Sequence, residues 1–90
     1  MALRMNPDQA ATVALKGLAF LVNSPEDLER FLLLTGARPE TLRERADEPE
    51  FLTSVLAFLL SNEELLTGFS SDFNTDVRAV HMAHYVLAGG

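Results

Sequence analysis

Two imidazoles, His81 and His84, stand three residues apart near the end of the chain. On a helix such a pair shares one face, so both rings can reach a single ion. A closed zinc site needs further ligands, and the 90 residues contain no cysteine. Asp72 or Asp76 would have to supply a carboxylate. No His-Glu-x-x-His pattern exists. The helical wheel sets His81, His84, Arg78 and Tyr85 on a polar arc, opposite Val80, Ala83, Val86 and Leu87. The expectation is two solvated histidines, with no metal and no cofactor, on a face made pH-sensitive near neutrality.

Asp72, Asn74 and Asp76 have the spacing of the first three ligands of a calcium loop. Such a loop then needs glycine at its sixth position and glutamate at its twelfth, where this chain has Val77 and Ala83. Helix capping accounts for Asn74 and Asp76 instead. The stretch from Glu26 to Arg45 has the outline of a helix-turn-helix, with Gly36 in the turn, Pro39 opening a recognition helix, and Arg38, Arg43 and Arg45 as the residues that would meet DNA. Leu32 is bulky where those helices must approach, and Glu40 and Glu44 offset the arginines. The net charge of −6, from 7 basic and 13 acidic residues, repels a phosphate backbone. Nucleic acid is therefore an unfavoured partner.

No catalytic set emerges. Glu26, Asp27, Glu48, Glu50, Glu63 and Glu64 fall in first helical turns, where carboxylates complement the helix dipole. Neither a Gly-x-Ser-x-Gly elbow nor a phosphate loop is present. The expectation is a non-enzymatic chain.

The elements that position these residues are punctuated by caps and prolines. Asn6, Pro7 and Gln9 predict a helix to about Val22, opened by a capping box. Ser24 and Pro25 start a second helix, which Gly36 ends. Pro39 opens a third through Ala46; Asp47 with Glu50 caps a fourth to Leu60. Ser61 with Glu64 caps a fifth through Phe73, and Asn74 or Thr75 caps a sixth ending near Ala88. No segment alternates with period two, so no sheet is expected. The fold class is all-α: a compact orthogonal bundle of about six short helices in a single domain, 1–90, with residues 1–5 as a flexible N-terminus.

Apolar residues cover more than half of the first and fourth helices, which places those two at the centre. The second helix is less tidy. Phe31, Leu28 and Leu32 form its core face, yet Leu33 and Leu34 fall beside Glu29, Arg30 and Asp27. Either the third helix folds back over these leucines or they are exposed. An exposed cluster of Leu33 and Leu34, flanked by Arg30 and Arg43, would be a contact surface for a protein partner or a second copy.

The longest apolar stretch, Val13 to Val22, contains Lys16 and is too short to span a bilayer. Met1 to Gln9 lacks the apolar core of a secretory signal. With no cysteine, the expected compartment is the cytoplasm. Several phrases are shared with a known family: Leu18-Ala19-Phe20-Leu21, Arg30-Phe31-Leu32 before Gly36, Leu42-Arg43 with Ala46, Pro49 before Phe51-Leu52, and Phe58-Leu59-Leu60. In these the chain resembles a small bacterial family catalogued as a domain of unknown function. The resemblance implies a bacterial, cytoplasmic, helical protein. It implies no activity and transfers no functional residue.

Overall fold

Four prolines set the phase of the fold, each standing at the start of a helical segment. Proline suits that position because its ring fixes a helical φ and its missing N–H would be unpaired there. The computed structural model describes residues 5–89, so the expected flexible segment 1–5 lies outside the described residues except for Met5, which packs against the core. Gly90 is also outside them. The helices are α1 (Pro7–Val22), α2 (Pro25–Thr35), α3 (Leu42–Arg45), α4 (Pro49–Leu60), α5 (Glu63–Asp72) and α6 (Val77–Leu87). A single 3-10 turn, Pro39–Thr41, leads into α3. Among the described residues there is no strand. The radius of gyration, 12.1 Å, is about that of a folded chain of this length.

As expected, α1 and α4 lie at the centre, but α6 joins them and has its broadest contact with α1. Ala83 and Val80 are fully buried on α6, and the small alanine lets the backbones approach. Gly17 does the same between α1 and α4. A Cβ there would stand 2.9 Å from Leu59 Cδ1 and 3.2 Å from Val55 Cγ1, both on fully buried side chains.

The six phenylalanines pin the outer helices to this centre in two clusters of three. Phe31 of α2 meets Phe51 and Phe58 of α4 edge-on, with centroids 5.6 and 5.4 Å away. Phe20 of α1 meets Phe69 and Phe73 at 5.8 and 6.4 Å. Such pairs add about 0.5–1.5 kcal/mol each beyond area burial.

The capping box at Asn6 and Gln9 is formed, with bonds of 2.8 and 3.0 Å. Three other expected caps are displaced by one or two residues. Glu48 precedes Pro49 and is therefore forced out of the helical region, to φ −87°, ψ 120°. It becomes the cap residue of α4, one position after Asp47, and the Asp47–Glu50 box does not form. Ser61 still belongs to the last turn of α4, where its hydroxyl donates to the Phe58 carbonyl. Asn62 is extended instead, and its side-chain oxygen accepts from the Glu64 and Leu65 amides. Asn74 adopts the left-handed conformation, φ 48°, which asparagine tolerates better than most residues. It makes the turn, and Asp76 caps α6 by accepting from the Arg78 amide at 2.8 Å.

Candidate functional site

The single third helix expected from Pro39 to Ala46 is divided into the 3-10 turn and a four-residue α3. Its Leu42 and Ala46 pack against the core. The segment leaves the end of α2 uncovered, so Leu33 and Leu34 are 78% and 75% exposed. That settles the two alternatives in favour of exposure.

These leucines form one lip of a trough. Its floor and opposite wall come from Phe58, Ser61, Asn62 and Leu65, where α4 turns into α5, and Arg30 completes the rim. This apolar end encloses about 390 Å³. Arg30, Asn62 and Leu65 also line a narrower cleft of about 180 Å³ with Phe20, Asp27 and Glu64. The two concavities share three residues, so they adjoin along α2 as two separate compartments of a channel. It runs from Leu34 past Arg30 to Asp27. Helical periodicity places positions 27, 30 and 34 on one face, so the sequence register builds the wall.

Charge is distributed unevenly along this channel. Arg30 is bonded to Asp27 on its own helix. Asp27 also accepts from the Ser24 hydroxyl at 2.8 Å. Thus Ser24, the expected cap of α2, donates to a carboxylate and makes no side-chain bond to the helix backbone. The Ser24 bond first, and the Arg30 guanidinium second, hold the Asp27 carboxyl below the usual carboxylate range, against a partial opposing effect of burial. Glu64 has no ion-pair partner among the described residues. The channel is therefore apolar with a neutralised arginine at one end and net acidic at the other. Of the residues expected in the contact surface, the fold brings together Arg30, Leu33 and Leu34. Arg43 lies on α3, outside the residues that line the channel. Phe58, Asn62, Glu64 and Leu65 are additions, and no local signal in the sequence connects them with α2.

The other candidate groups remain apart. His81 is exposed and His84 half-buried on α6. Among the described residues no group of three or more histidine, aspartate or glutamate side chains is placed to hold a metal. Of the hairpin's arginines, Arg43 and Arg45 share only the four-residue α3, about one helical turn. Arg45 sits 4.9 Å from the centre of the Phe51 ring and pairs with Glu48 at 3.4 Å, while Arg38 precedes the 3-10 turn. No helix among the described residues is long and apolar enough to cross a membrane.

Fold and surface together define a small six-helix domain with apolar concavities between α2 and the α4–α5 turn and, on α6, beside Arg78, His81, Met82 and Tyr85. The family model described as "Protein of unknown function (DUF3572)" matches residues 7–90, and the chain belongs to that family. No curated protein and no solved structure matches it.

Proposed function

We propose that this chain is a non-catalytic, cytoplasmic protein-interaction domain of a bacterial cell, and that it engages its partner through the α2 channel. The observation that carries this reading is the placement of two large, adjacent aliphatic side chains in solvent beside a groove floored by Phe58 and Leu65. Isolated exposed leucines are common on soluble proteins. A contiguous pair joined to an apolar concavity is the usual form of a helix-binding groove. The acidic residues support the non-catalytic part of the reading. Those of α1, α2, α4 and α5 that fall in first turns complement helix dipoles and need no chemical role.

The test is a photo-reactive residue installed at position 34 in the source cell, with a second at the exposed position 8 as control. The reading expects a discrete adduct from position 34 that is absent from position 8. Identical adduct patterns from the two positions would contradict it.

A further inference from the structure

We draw no further inference here: the strongest candidate, the apolar concavity on the outer face of α6 beside Arg78, His81, Met82 and Tyr85, is an unpartnered helix surface whose arginine is already bonded to Asp76, and nothing in the structure shows what covers it.

Discussion

If Leu33 and Leu34 serve a partner rather than the core, replacing both should barely change the stability of the isolated chain. Leu33→Gln with Leu34→Gln is suitable, because glutamine is nearly as good a helix former as leucine. The two side chains are 78% and 75% exposed, so about a quarter of each is buried. Full burial of a leucine stabilises by about 1.5–3 kcal/mol. A quarter of that is about 0.4–0.7 kcal/mol per residue, or about 1 kcal/mol for the pair. For a domain of this size the melting temperature should fall by no more than about 4–8 °C. Leu56, fully buried on α4, is the control: Leu56→Ala should cost about 2–5 kcal/mol. Urea unfolding followed by far-ultraviolet circular dichroism measures both. A loss above about 2 kcal/mol in the double variant, on the scale of a core deletion, would show that these leucines pack within the fold and would refute the argument.

Other consequences follow from the same geometry. Asn62→Ala should cost about 1 kcal/mol by urea unfolding, since it removes the acceptor for two amides of α5, whereas Asp47→Ala should be nearly neutral because Asp47 caps nothing. Gly17→Ala gains about 1 kcal/mol of helix propensity but drives a methyl against Leu59 and Val55, which typically costs about 1–3 kcal/mol. The net result in a thermal melt should be a destabilised protein. The Asp27 carboxyl titrates lower in the folded chain than in the unfolded one, so its stabilisation is present above about pH 3.9 and is lost as pH falls through the folded value. Asp27→Asn should therefore flatten the acid limb of the stability curve, while an unchanged limb would exclude the Ser24 and Arg30 bonds as its source.

Helix number and phase were legible because they depend on local chemistry. Pro7, Pro25, Pro39 and Pro49 mark four starts, and Gly36, at φ 74°, closes α2 as its position in the sequence implied. The caps at Asp47, Ser61 and Asn74 were misplaced because the spacing of a capping box fits more than one register. Backbone geometry chooses the register: Pro49 excludes Glu48 from the helix, and Ser61 remains bonded into α4. The central role of α6 was hidden for another reason. Its buried stripe includes Ala83, whose contribution is close approach rather than apolar bulk, so hydrophobic periodicity gives it little weight.

The candidate site was half legible. A wheel of α2 shows Leu33 and Leu34 leaving the core face, but it cannot show whether a neighbour returns to cover them. That depended on the shortness of α3 and on where Leu42 and Ala46 find their contacts. Phe58, Asn62 and Glu64 come from the α4–α5 turn, about thirty residues away in the chain, and only tertiary packing brings them to α2.

The most direct test of the interaction reading compares tagged wild-type chain with the Leu33→Gln, Leu34→Gln variant, each purified from the source cell and read by quantitative mass spectrometry. The account predicts at least one protein recovered with the wild type and depleted about tenfold or more with an equally stable variant. Indistinguishable sets of recovered proteins would contradict it.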